Sequence, residues 1–382
     1  MSNRKRKSHE DNNLPEHVFR RGERFVVVLD LGRDENGKRK KYWSPSFPSW
    51  KAAERHLKTV ISRVETGTFV DSSRLTVAQY LDEWLEGARS TIRASTWQSY
   101  ATHVRAHLKP AFGGKLLQQL RTAQVSAVYA KLLENRSAAT VRRIHATLHR
   151  ALGDAVKSGL LSINPASTAR LPKAERAEMS TWTLMELRTF LAATDGTDDS
   201  MLWTLLATTG LRRGEALGLR WRDVDLESAV AEIQQTIVTV NHHVEFSKPK
   251  TNRGRRRIDL DPETVRRLRR YKAAQTEHRL KAGEAWVDHD LVFTDALGAP
   301  QHPGNVSHRF VNAANAARVP RIRLHDLRHT WATLALRAGA HPKVVSDRLG
   351  HSTVSITLDV YSHAVPGLQR ETAQKIAADI YG

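Results

Sequence analysis

The chain has 382 residues, room for about two or three domains, and sets 60 lysines and arginines against 40 acidic residues for a formal charge of +20 and a pI near 10.4. With no cysteine, disulfides, zinc–thiolate clusters and thiol catalysis are excluded, and no run approaches the roughly 18 apolar residues of a membrane-spanning helix. The basic residues are spread over the whole length, which favours several contacts along a nucleic acid over one flexible basic arm. The basic start, Arg4 to Lys7, has no apolar stretch of the kind a secretory signal needs, so a cytoplasmic location is expected.

In chain order, apolar and polar residues first alternate around Phe25, Val27 and Leu29, with Asn36-Gly37 where a hairpin would turn. Lys38, Arg39, Lys40 and Lys41 open the next strand. They read either as a DNA-contacting run or as a solvated edge strand guarded against aggregation. Ser49 is an N-cap, and Ala53, Leu57, Val60, Ile61 and Val64 form one helical stripe behind this small sheet.

A helical block follows. Thr76 caps a helix whose Val77, Tyr80, Leu81, Trp84 and Leu85 share one face. Similar stripes start at Ser95, Thr122 and Ser137, which makes four helices of a compact bundle. Gly159 ends the last of them. The polar stretch from Asn164-Pro165 to about Ser180 reads as a linker.

The third block opens on a capping box, Thr183 with Glu186, and a buried helix through Leu202, Leu205 and Leu206 that stops at Thr209-Gly210. Arg212 follows in the turn, with Glu215 three residues on, close enough to orient it. Strand patterns run from Val230 to Val240, Val244 to Phe246 and Arg257 to Leu260. The loop between the last two is basic, and Lys248, Arg253 and Arg255 read as phosphate contacts. Lys250, just before the expected hairpin tip, is placed where an ammonium can give a proton to a leaving oxygen. A strongly basic helix, Arg266 to Arg270, reads as a solvated or phosphate-facing surface.

Further on, ~100° per residue puts Leu327, Trp331 and Leu334 on one side of a helix and His325, Arg328 and His329 on another. A short helix closes at Gly350, His351 follows at once, and Tyr361 lies in the next helical stretch, Thr353 to Ser362. Two arginines (Arg212, Arg328) and two histidines (His325, His351) suffice to surround a phosphodiester with charge and donors, and Tyr361 supplies an oxygen nucleophile, so no metal or other cofactor is called for.

These motifs, Thr209-Gly210-Leu211-Arg212, Glu215, Lys250-Thr251, His325-Asp326-Leu327-Arg328-His329, Leu349-Gly350-His351 and Tyr361, resemble those of the tyrosine recombinases, the lambda-type phage integrases. The resemblance implies a mainly α fold with small β elements in three domains. These are an arm-type DNA-binding sheet with a helix over residues 1–71, a four-helix core-binding domain over 72–170, and a mixed α/β catalytic domain with its tail over 171–382.

It further implies that Tyr361 attacks the scissile phosphate and forms a 3′-phosphotyrosyl link. Arg212, Arg328 and His351 would stabilise the non-bridging oxygens, Lys250 would protonate the departing 5′-oxygen, His325 would accept the tyrosine proton, and Glu215 would support. The implied partners are double-stranded DNA at core and arm sites, three further copies of the chain in a tetramer on a Holliday junction, and accessory bending and excision factors. A type IB topoisomerase usually has lysine where this chain has His325. A DNA-binding protein without catalysis has no reason to keep all six catalytic residue types.

Overall fold

A computed structural model of the chain describes residues 14–33, 37–66, 69–70, 73–173, 180–248, 254–351, 353–361 and 368–381. Two compact units result, Met1–Glu175 and Arg176–Gly382. No helix among the described residues is long and apolar enough to cross a membrane.

The first unit begins with an antiparallel sheet in the order β1 (Val18–Arg21), β2 (Arg24–Arg33), β3 (Arg39–Trp43), backed by α1 (Trp50–Glu65). Because side chains alternate along a strand, Val18, Val27 and Leu29 turn inward onto Ala53, Leu57 and Val60 of α1, whose N-cap Ser49 accepts from the Ala52 amide. The opposite face pairs Phe19 with Val26 and Val28 with Trp43, leaving Phe19 and Trp43 exposed. Lys38, Arg39, Lys40 and Lys41 are all exposed, and Lys41 shares the outer face with Trp43 opposite Asp30. Asn36 lies outside the described residues.

The helical part has its own core of Leu81, Leu108, Tyr129, Ile144 and Leu148, among others. Its elements are α2 (Val77–Ala88), α3 (Ala94–His103), α4 (Lys109–Phe112), α5 (Thr122–Leu133) and α6 (Ala138–Lys157). The single helix expected from Ser95 is interrupted: Pro110 has no N–H to give and its ring would strike the carbonyl one turn back, and the chain widens into a π turn at Val104–Leu108. The expected linker is also partly wrong. Ala166 is fully buried, Pro165 O accepts from Thr122 Oγ1, Asn164 Nδ2 donates to His149 O and Arg142 donates to Pro172 O, so residues 164–172 are docked on the bundle. Polar composition misled because side-chain hydrogen bonds to backbone dock this segment together with only a few small buried residues such as Pro165 and Ala166.

The second unit is built on an aromatic core of Trp182, Phe190, Trp203 and Phe310. Helix α7 (Leu184–Ala193) starts at the expected Thr183–Glu186 capping box, and α8 (Ser200–Thr209) is buried on nearly all sides. After α9 (Arg213–Leu217) come β4 (Val224–Asp225), β5 (Val230–Ile233), β6 (Thr236–Val240), β7 (His243–Ser247) and β8 (Arg256–Asp259).

The register corrects the expected hairpin. β6 pairs with β7 through a tight turn at Asn241–His242, both with positive φ, while β8 returns to β5. β7 and β8, the strands on either side of the basic loop, therefore pair with different partners and form no hairpin with each other.

Helix α10 (Pro262–Ala282) is the basic helix, but Arg266 and Arg267 pair with Glu263, Arg267 also with Asp195, and Arg269 with Glu227. It is a solvated, ion-paired surface. The rest is α11 (Pro303–Ala316), α12 (Asp326–Arg337), α13 (Pro342–Leu349), α14 (Val354–Tyr361) and α15 (Leu368–Tyr381).

Candidate active site

Two helix C-termini, those of α8 and α13, converge in the second unit. The last carbonyls of a helix have no partner within it and carry its negative dipole end, so they hold cations. Arg328 gives Nη1 to Gly210 O past the end of α8 (2.9 Å) and Nη2 to Leu349 O at the end of α13 (2.6 Å). Arg212 gives Nη2 to Gly350 O (3.3 Å), and Arg256 gives Nε to Arg348 O (2.6 Å).

Gly210 makes this convergence possible. Its φ is +68°, and an added Cβ would lie 2.8 Å from Leu349 Cδ2 and 3.0 Å from Trp331 Cε3, too close for any side chain.

Glu215 is 4 % exposed and lies between two guanidinium groups. Oε1 accepts from Arg212 Nη1 at 2.7 Å and Oε2 from Arg256 Nη2 at 2.8 Å; Oε2 also accepts the Arg212 backbone N–H. Burial alone would raise its carboxyl, but the hydrogen bonds and charge of Arg256, then Arg212, outweigh it and hold it at about 2. Three guanidinium groups, Arg212, Arg256 and Arg328, are thus gathered at the site, the first two on Glu215 and the third on the Gly210 and Leu349 carbonyls.

A buried triad of this kind makes a testable prediction. Removing the shared carboxylate by Glu215→Gln should destabilise the chain by about 3–5 kcal/mol at neutral pH, because two guanidinium groups lose their partner. The folded carboxyl sits below its ordinary value, so its contribution is full above about pH 4.5 and fades as pH falls toward about 2. Urea midpoints of the two proteins should therefore differ at pH 6 and draw together only as pH falls to about 2. A gap that stays as large at about pH 2 as at pH 6 would mean that packing, not charge, holds Glu215.

The histidines are neutral. His351 Nδ1 lies 2.8 Å from Thr357 Oγ1 of α14, and burial first, then Arg328 and Arg212, hold its imidazole at about 4. His325, at the N-cap of α12, is pushed to about 4 by the surrounding protein and then by His329, Arg328 and Arg212. Its surface opens onto the cleft, so water offsets part of that burial, and the neutral ring still prevails at pH 7. His329 stacks edge-on against it at 5.1 Å.

Arg212, Glu215, Arg328, His325 and His351 are thus brought together, as the sequence reading requires. One detail differs. Arg328 is only 2 % exposed, because α8 and α13 cover the arc that helical periodicity left open to solvent. Trp331, read as core, is half-buried, with the Arg348 guanidinium 5.1 Å from its ring. Lys248, just after β7, and Arg255, just before β8, are exposed. Lys250 and Arg253 lie outside the described residues. Tyr361 is the last residue of α14, four after the buried Thr357; its side chain is not among those described.

The sequence reading missed Arg256. It sits in Arg255-Arg256-Arg257, where composition cannot separate a buried cation from two exposed ones. The alternation of β8 separates them: Arg256 shares a strand face with the buried Ile258, whereas Arg255 and Arg257 are exposed.

The phage integrase family pattern matches residues 182–366, and that of the phage integrase N-terminal SAM-like domain matches residues 76–133. A tyrosine recombinase XerC-like protein of Caldanaerobacter subterraneus subsp. tengcongensis is 29% identical over 94% of this chain and 97% of its own. A putative prophage phiRv2 integrase of Mycobacterium tuberculosis is 30% identical over 77% of this chain and 76% of its own. The fold matches a Tn1549 transposon integrase in complex with a circular intermediate DNA, with a TM-score of 0.67 at 20% identity over 79% of this chain and 100% of that one. It also matches a lambda integrase tetramer bound to a Holliday junction, with a TM-score of 0.55 at 17% identity over 90% and 97%.

Proposed function

The chain belongs to the phage integrase family of tyrosine recombinases, and on that premise we propose that Tyr361 makes the 3′-phosphotyrosyl link by which it breaks and rejoins DNA. The observation that carries this assignment is the gathering of Arg212 and Arg256 on Glu215 and of Arg328 on the Gly210 and Leu349 carbonyls, with His351 tied to α14, the helix that Tyr361 closes.

In this reading the Tyr361 oxygen attacks phosphorus and the bond to the 5′-oxygen breaks. Arg212 and Arg328 hold the non-bridging oxygens, whose charge grows in the transition state. When Thr357 donates to Nδ1 of His351, the ring proton sits on Nε2 and serves the same oxygens. Neutral His325 takes the tyrosine proton and Lys250 gives one to the 5′-oxygen. Glu215 and Arg256 fix the two arginines without touching the reacting atoms. The phosphodiester energy stays in the tyrosyl bond, and attack by a 5′-hydroxyl reverses the step. Four copies on two duplexes, in the cytoplasm of a bacterial host, then exchange strands through a Holliday junction, with bending and excision factors assisting.

A nicked core-site duplex tests this. We expect an SDS-resistant adduct on the 3′ side with a free 5′-hydroxyl, formed equally well in EDTA because arginines supply the charge. A 5′ adduct, or loss in EDTA, would overturn the reading. Plasmid relaxation without joining of two sites would favour a topoisomerase, and specific binding with neither would leave a DNA-binding protein.

For the arm assignment, the outer sheet face with Phe19, Lys41 and Trp43 is the proposed DNA surface, aromatic and basic side by side. A chain starting at Ser72 should still cleave core sites and lose affinity for separate arm sites. Identical footprints for the short and full chains would contradict the three-domain division.

A further inference from the structure

We propose that Arg213, with Ser307 and Arg321, forms a second phosphate subsite that holds a DNA backbone phosphate beside the scissile one. This rests on the recombinase reading above.

The cleft beside the catalytic set has a volume of about 840 Å³ and is lined by Arg212, Arg213, Ser307, Arg321, Arg323 and Asp326, among others. Its charges do not balance. Asp326 is the one carboxylate in the lining, and Arg323 holds it with two guanidinium hydrogen bonds of 2.8 and 3.0 Å and its own backbone N–H at 2.8 Å. Arg212 has Glu215. Among the described residues, no carboxylate lies in ion-pair reach of Arg213 or Arg321. Arg213 donates Nη1 to the half-buried Ser307 Oγ of α11, a neutral partner, and burial pushes its guanidinium below the ordinary value. A desolvated guanidinium without a counter-charge is costly, and an incoming anion removes that cost.

Geometry assigns this anion to a different phosphate from the one that Arg212 serves. The two arginines are neighbours with Cα atoms about 3.8 Å apart, yet Arg212 is extended and reaches Glu215 and Gly350, while Arg213 begins α9 and reaches α11. The backbone between them cannot rotate to merge the two heads. Gly214 presses α9 onto β6 so closely that a Cβ there would lie 2.5 Å from Ile237 O. A DNA strand presents a phosphate about every 3.4 Å along its axis, so adjacent phosphates suit two cations held apart in this way. Ser307 Oγ accepts from Arg213 and keeps its own hydrogen to donate to the same phosphate.

The test replaces single phosphates of a core-site duplex with neutral methylphosphonates and measures binding and adduct formation by the full chain, Arg213→Ala and Arg321→Ala. At one phosphate flanking the scissile one, the replacement should weaken the wild type about tenfold or more and cost Arg213→Ala almost nothing further. The slope of log affinity against log salt should fall by about 0.9 for each variant. Arg321 is exposed, so its variant keeps the test valid if Arg213→Ala folds poorly. Penalties that multiply at every position, or an unchanged salt slope in both variants, would overturn the subsite. Coincidence at the scissile phosphate would overturn it too, by placing Arg213 in the catalytic set. An absent wild-type adduct would instead strike the recombinase reading, while the binding and salt measurements still decide the subsite.

Discussion

Tyr361→Phe is expected to leave specific DNA binding nearly intact and to abolish the covalent adduct completely. Only one oxygen is removed, and α14, which Tyr361 closes, stays anchored by the His351–Thr357 contact and the buried Thr357. The magnitude follows from the chemistry: no neighbouring group replaces a nucleophile whose bond to phosphorus defines the intermediate. A free tyrosine titrates near ~10, so attack at neutral pH relies on a base and on a cationic surround. The neutral His325 and the cluster of Arg212, Arg256 and Arg328 supply both. Denaturing gels of a suicide duplex with wild type and variant decide the matter. Adduct in the variant would mean that another residue attacks.

Lys250→Ala should slow cleavage by about 10²–10⁴, the usual worth of a general acid, but only while the leaving group needs a proton. A 5′-bridging phosphorothiolate departs as a thiolate without one. The variant should therefore be largely rescued on that substrate, whereas Arg212→Ala, which loses phosphate stabilisation, should stay slow on both. Gly254 O, four residues after Lys250 in the chain, accepts from Arg256 Nη1 at 3.2 Å, and the same guanidinium holds Glu215 against Arg212. Rescue of Lys248→Ala or Arg253→Ala in place of Lys250→Ala would move the role to that neighbour.

The local elements, and the motifs that carry Arg212, Glu215, His325, Arg328 and His351, were legible in the sequence, because caps, stripes and short motifs are set by neighbours along the chain. Thr183 with Glu186 closes its box within four residues, and the αL positions at Gly210 and Gly350 follow from helix ends that the pattern already marks. The +20 charge and the ordered set from Arg212 to Tyr361 indicated phosphodiester chemistry with no structure at all.

What the chain brings together across long separations was decided only by the fold. Arg328 looked solvent-facing from its helical angle, yet it is buried because two helices distant in sequence offer it Gly210 O and Leu349 O. Arg256 was hidden among three arginines until β8 paired with β5 and set which of them turns inward to Glu215. Residues 164–172 read as a linker, since hydrogen bonds to a bundle and a few scattered buried residues leave no periodic apolar pattern. The physical reason is common to all three. Periodicity reports which face of an element is apolar, whereas pairing a buried charge with a carbonyl or carboxylate depends on tertiary contacts that periodicity does not encode.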